Sequence, residues 1–188
     1  GNTMIAREGG MSGIGGRNWA ASGLGSAELA LNNLGGWIHS GTLAGDAATD
    51  NVILSNSGLV IQEGDTLAAI GGVFTFTGFG TGPVDLDDSG NSLWFGDWND
   101  PDTSRDTGLF LNHQLLVQEG VTLVDGVLLQ SLSSVQDAFS MSDNGQFIIF
   151  EGTLANGNNG AFLITIPEPT NLVVVAVMVA VFLRRRCM

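Results

Sequence analysis

The sequence contains no tyrosine and no lysine, and its one cysteine, Cys187, is the penultimate of 188 residues. Without a second cysteine no intrachain disulfide can form, so the fold neither needs nor excludes an oxidising compartment. Without lysine, 6 arginines stand against 19 acidic residues, for a formal net charge of −13. Half of the arginines sit in one run, Arg184–Arg186, so the remainder is more acidic still. Such a surface repels phosphate backbones, which excludes nucleic-acid binding through a basic patch. The acidity reads as a solubility device, with weak attraction for divalent cations as a by-product. Histidine is scarce: His39 and His113 fall in unrelated places, and no Cys or His cluster has metal-ligand spacing. No G-x-S-x-G nucleophile motif occurs. The chain starts at Gly1, with no charged and apolar leader pattern behind it. The expectation is a removed signal peptide or, as the repeats below favour, a fragment of a longer product.

What is plentiful is glycine, with 28 residues, and its placement is periodic. Three segments align: Met4–Gly9, Leu59–Gly64 and Leu115–Gly120, each closing on Glu-Gly, the pairs 55 and 56 residues apart. A second family lies between them, around Gly35, Gly90 and Gly145, spaced 55 and 55. Two independent markers with one period indicate a structural repeat. In the middle unit the first hairpin is Val84–Asp87 and Ser92–Gly96 about Asp88-Ser89-Gly90. The second is Gly108–Leu111 and Leu115–Gln118 about Asn112-His113. Asn, Asp and Gly supply the positive φ that tight hairpins need. Ser26–Leu31 could pass for a short helix, but its counterparts make it a strand.

The expected fold is therefore all-β, with about three four-stranded repeats of ~55 residues over residues 1–166. These resemble β-propeller blades, whose usual number is larger, so further blades are expected upstream. The alternative is an open β-sandwich or a solenoid array. Runs such as Phe147–Phe150, apolar on both faces, suit blades stacked face to face. Met4–Arg7 is expected as a fourth strand, and the last unit lacks one after Ala161–Ile164.

Residues 167–188 differ in kind. Pro167-Glu168-Pro169 breaks the preceding strand. Leu172–Leu183 is wholly apolar, a helix-compatible run of 12 residues, and Arg184–Arg186 follows directly. At ~1.5 Å per residue such a helix spans about 18 Å, short of a ~30 Å hydrocarbon core, which suits temporary rather than permanent anchoring. The arginines favour the cytoplasmic side. This order of parts resembles the PEP-CTERM sorting signal. The resemblance implies that Pro167, Glu168 and Pro169 are recognised by a membrane protease of the exosortase type. It makes residues 172–183 a transient membrane helix and Arg184, Arg185 and Arg186 the stop signal. The protein would then be exported, held at the membrane, and released to the cell surface or matrix.

Candidate chemistry in the body is thin. Asp85, Asp87 and Asp88 resemble the start of a calcium loop, but the twelfth position, which needs a bidentate Glu, is Gly96. The feature shared with the other units is a hairpin turn. Glu8, Glu63 and Glu119 could serve glycoside hydrolysis as paired carboxylates, but their recurrence suits backbone bonding at a turn. Gly9–Gly16 is glycine-rich with no βαβ unit after it, so no phosphate cradle is expected. Trp94 and Trp98, with Asp97, Asp100 and Asp102, form the most distinctive loop. Exposed tryptophans there would stack on sugars, whereas the structural alternative buries Trp94 and partly buries Trp98. The sequence thus favours a non-enzymatic surface or matrix platform without cofactors. An extracellular polysaccharide is a candidate partner, and a secreted glycan-active enzyme is the alternative.

Overall fold

Short β-branched and aromatic runs alternate with turns rich in Gly, Asn and Asp, and the chain folds into strands accordingly. The computed structural model describes residues 2–24, 28–80 and 82–167. Among them there are 15 strands and no helix. The first sheet joins β1 (Leu29–Leu31), β2 (Trp37–Thr42), β3 (Asn51–Ser55) and β4 (Gly58–Gln62) in chain order. The second comprises β5 (Thr66–Ala69), β6 (Gly72–Gly78), β7 (Val84–Leu86), β8 (Ser92–Trp98), β9 (Thr107–Leu111) and β10 (Gln114–Gln118). Its order is β10-β9-β8-β6-β5, with β7 also on β8. The third holds β11 (Leu123–Val124), β12 (Val127–Leu132), β13 (Phe139–Met141), β14 (Phe147–Leu154) and β15 (Asn159–Thr165). Here β11-β12-β14-β13 is the order, and β15 takes the other edge of β14.

The hairpins about Gly35, Gly90 and Gly145 join β1 to β2, β7 to β8 and β13 to β14. All three glycines carry positive φ, at 81°, 84° and 69°. One feature departs from the four-stranded plan. The second and third sheets each carry a further hairpin, β5–β6 and β11–β12. β6 shares one edge of β8 with β7, and β12 shares one edge of β14 with β13. In the first sheet its counterpart is reduced to bridges of Met11 with Asn18 and of Trp19 with Leu43. Among the described residues the first sheet thus has four strands, the second six and the third five. Met4–Arg7 is not a strand.

The sheets stack by their faces. On β8, Trp94 points to the first sheet and packs with its Ile38 and Ile53 and with Phe76 of β6, while Leu93 and Phe95 point to the third, with Phe139, Ile148 and Phe150. The second sheet is thus covered on both sides, as its two-faced apolar strands require. Trp94 stacks on Phe110 with ring centroids 4.3 Å apart and meets Phe76 edge-on at 5.7 Å. Gly96 is glycine because a Cβ there would lie 2.8 Å from the Trp94 ring. The second sheet also curls. Gln118 on β10 exchanges hydrogen bonds with Ile70, just beyond β5, at 2.9 and 3.2 Å, bringing the two ends of the sheet together.

Candidate functional site

The strongest electrostatic feature lies on the β8–β9 connection, where the sequence placed its distinctive loop. β8 carries Asp97, and the loop that follows holds Asp100, Asp102, Arg105 and Asp106. Asp100 is buried and forms an ion pair with Arg105, Oδ2 to Nε at 3.0 Å. Its other oxygen accepts from the Asp102 amide at 2.9 Å. Asp102 is exposed, and hydrogen bonds from Ser104 hold its carboxyl below the usual range.

Among the described residues no arginine forms an ion pair with Asp97, Asp106 or Glu119. The Asp97 carboxyl is pushed up to about 6, first by burial and then by the charges of Asp106 and Glu119. Burial also raises Asp106. It raises Glu119 against the opposing hydrogen bonds that Glu119 accepts from Thr107 Oγ1 at 2.8 Å and Leu132 N at 3.4 Å. A carboxyl titrating near neutrality has the pKa of a general acid or base. The neighbouring aromatics do not extend that chemistry to sugars. Trp98, expected to be partly buried, is 2% exposed and Trp94 is 1% exposed, so neither presents a ring face to solvent. Both rings went inward because β8 is covered on both faces.

The other acidic candidates work as fastenings between sheets. Asp85 Oδ2 accepts from Ser140 Oγ at 3.0 Å and from the Met141 amide at 2.7 Å, tying β7 to β13. Asp88 accepts from the Asn33 amide at 3.0 Å and from Asn33 Nδ2 at 3.3 Å, and its own amide donates to Asp143 O at 2.7 Å. Asp87, buried, closes its own turn by accepting from the Asn91 amide and Asn91 Nδ2, both at 2.7 Å. These turns form a ladder in which each rung joins residues about 55 apart. Among the described residues no group of three or more His, Cys, Asp and Glu side chains is placed to hold a metal ion.

The Glu-Gly pairs behave as turn elements. Glu63 accepts from Asn51 Nδ2 at 2.8 Å and Glu119 from Thr107 Oγ1, each twelve residues back, at the start of β3 and of β9. Gly9, Gly64 and Gly120 follow with φ of 70°, 91° and 67°. His39 is buried between Trp19 and Trp37, with its Nδ1 3.0 Å from Ser40 O, and His113 sits in the β9–β10 turn. Within Gly9–Gly16, the turn is closed by Arg17 N donating to Ile14 O.

Asn112, read from the sequence as a turn residue, also makes side-chain bonds that the sequence did not disclose. At φ 55° it forms the β9–β10 turn, and its Oδ1 accepts from the Ser92 amide at 2.9 Å. Its carbonyl accepts from Trp94 Nε1 at 2.6 Å, and its Nδ2 donates to Asn91. Asn56 repeats the first of these bonds, accepting from the Trp37 amide at 3.0 Å.

Pro167 is exposed just after β15, where Ile166 N donates to Gln146 O. Glu168, Pro169, the apolar run 172–183 and Arg184–Arg186 lie outside the described residues. Among the described residues no helix is long and apolar enough to cross a membrane. No protein family, curated protein or solved structure matches the chain.

Proposed function

We propose that the chain is a non-enzymatic structural or binding platform of the cell surface or extracellular matrix, delivered by its C-terminal tail. In this reading its three units are repeats of one plan, stacked like propeller blades. The observation that carries the platform reading is the use of the acidic turn residues. The carboxylates of Asp85, Asp87 and Asp88 accept from neighbouring backbone, amide and hydroxyl groups rather than converging on a cleft. Residues that serve the stack in this way are not free for catalysis. The tail reading rests on the order of Pro167-Glu168-Pro169, the apolar run and Arg184–Arg186. Its partners would be an exosortase-type protease and, transiently, the membrane. The test is expression of the full chain in a host that has such a protease. Replacing Pro167, Glu168 and Pro169 by alanine should leave the protein unprocessed in the membrane fraction. Release equal to that of the unaltered chain would refute the sorting assignment.

The raised carboxyl of Asp97 favours a second reading, a glycan-active enzyme that uses Asp97 as its acid beside Asp106 or Glu119. Hydrolysis of soluble polysaccharides that disappears in Asp97→Asn would establish it. A chain inert on such a panel would leave the platform reading in place.

A further inference from the structure

β4 and β10 each make two contacts. Each pairs with the strand that precedes it, β4 with β3 and β10 with β9, and packs on the next sheet, Ile61 between the first and second, Val117 between the second and third. Met4–Arg7 stands in the corresponding place before the first sheet. Ala6, 55 residues before Ile61, packs on the cluster of Trp19, Leu43, Val52 and Leu54. Gly9 N donates to Trp19 O at 3.0 Å, as Gly64 does to Phe76 O at 2.9 Å and Gly120 to Leu129 O at 2.8 Å. What this segment lacks, among the described residues, is the strand it would pair with, and Met4 and Ile5 are exposed.

The third sheet has the complementary lack. β15 pairs only with β14 among the described residues, leaving its second edge open. The outer face of that sheet shows Phe147, Ile149 and Leu163 at 44%, 49% and 65% exposure. By register Ile149, which faces Ser140 and Leu163, holds the place of Leu93, which faces Asp85 and Leu111. Leu93 is 0% exposed because the third sheet covers it. An open edge beside an uncovered apolar face is a template for another strand and another sheet.

We propose that a second copy of the chain supplies both: Met4–Arg7 of one copy adds to the free edge of β15 in another. The inference rests on the repeat reading above, because the two interfaces inside the chain serve as its template. They fix the register. β3–β4 pairs Val52 with Gln62, Ile53 with Ile61 and, past a bulge, Leu54 with Leu59. β9–β10 pairs Gly108 with Gln118, Leu109 with Val117 and, past a bulge, Phe110 with Leu115. Transposed, Arg7 lies opposite Gly160, Ala6 opposite Ala161 and Met4 opposite Phe162, with Ile5 in the bulge. Glu8 then meets Asn159, which opens β15 as Asn51 opens β3 and Thr107 opens β9. The two surfaces differ, so the contact is heterologous and builds a ring or a filament, not a symmetric pair.

The test mixes two single-cysteine variants of the full chain, both carrying Cys187→Ser: Ala6→Cys in one and Ala161→Cys in the other. Under mild oxidation in detergent the mixture is expected to give a cross-linked dimer, while Ala6→Cys mixed with Ser57→Cys gives none. Adding Leu163→Asp to the Ala161→Cys partner, a charge on an exposed position, should reduce the yield at least about tenfold. Equal cross-linking at Ala161 and Ser57, or none at either, overturns the assembly. Amide hydrogen exchange separates this failure from failure of the repeat reading. Protection is expected in β4 and β10 at every concentration, and in Met4–Arg7 only as concentration rises. Protected β4 and β10 with Met4–Arg7 always open would refute the assembly alone. Unprotected β4 and β10 would refute the stack itself.

Discussion

At Asp97, burial beside Asp106 and Glu119 favours the protonated acid over the carboxylate. The sign of its effect follows. Below the unfolded value near 3.8 both states hold the proton and the contribution to stability is complete, and it is lost as pH rises through about 6. A shift of that size corresponds to about 3 kcal/mol for a fully buried group, and the partial exposure of Asp97 reduces this to about 1 kcal/mol. Asp97→Asn is therefore expected to stabilise the protein by about 1 kcal/mol at about pH 8 and to change nothing below about pH 4, as read from thermal melts. A second residue-scale expectation contrasts two turn glycines. Gly90 and Gly145 both have positive φ, but space is open at Gly90, whereas a Cβ at Gly145 would collide with the Asp87 carboxylate. Gly90→Ala should cost about 1 kcal/mol and Gly145→Ala about 2 kcal/mol or more, measured by denaturant unfolding. The turn glycines were legible in the sequence because positive φ leaves few alternatives to Gly, Asn and Asp. The pKa of Asp97 and the full burial of Trp98 were not, because both depend on which sheet covers which face.

Between elements, the fastening of β7 to β13 through Asp85 is the most exacting test of the stack. Asp85→Ala removes the acceptor for Ser140 Oγ and for the Met141 amide. The expected loss is about 1–2 kcal/mol, and Asp85→Asn, which keeps one acceptor oxygen, should recover part of it. Equilibrium unfolding of the two variants reads the difference. If neither variant shifts the midpoint, the turn ladder does not hold the sheets together. The hairpins about Gly35, Gly90 and Gly145 were readable because each unit keeps the same turn chemistry. The β5–β6 and β11–β12 hairpins were missed for a definite reason. Their counterpart in the first sheet is only a pair of bridges, so no common sequence pattern marked them across the three units. Asp125-Gly126, with φ of 49° and 80°, was the available signal, an Asp-Gly turn of the kind that joins two-residue hairpins. Met4–Arg7 was read as a strand from its likeness to β4 and β10, but a strand needs a partner edge, and none lies beside it among the described residues.

For the whole molecule, three sheets stacked face to face bury the centre and leave apolar surface at both ends. Turn carboxylates tie the sheets together, and the acidic residues, which give the whole chain a formal net charge of −13, favour solubility. Among the described residues the three apolar clusters are built from residues 6–166. On the proposed sorting role the tail is an address, and the β-body is expected to fold without it. The most direct measurement is a paired one on the full chain and on a chain lacking Leu172–Met188, recording the melting temperature of the β-body and the fraction held in membranes. Melting temperatures are expected within about 2 °C of each other, with membrane retention by the full chain alone. A shortened chain that unfolds, or one retained in membranes as well as the full chain, would contradict it.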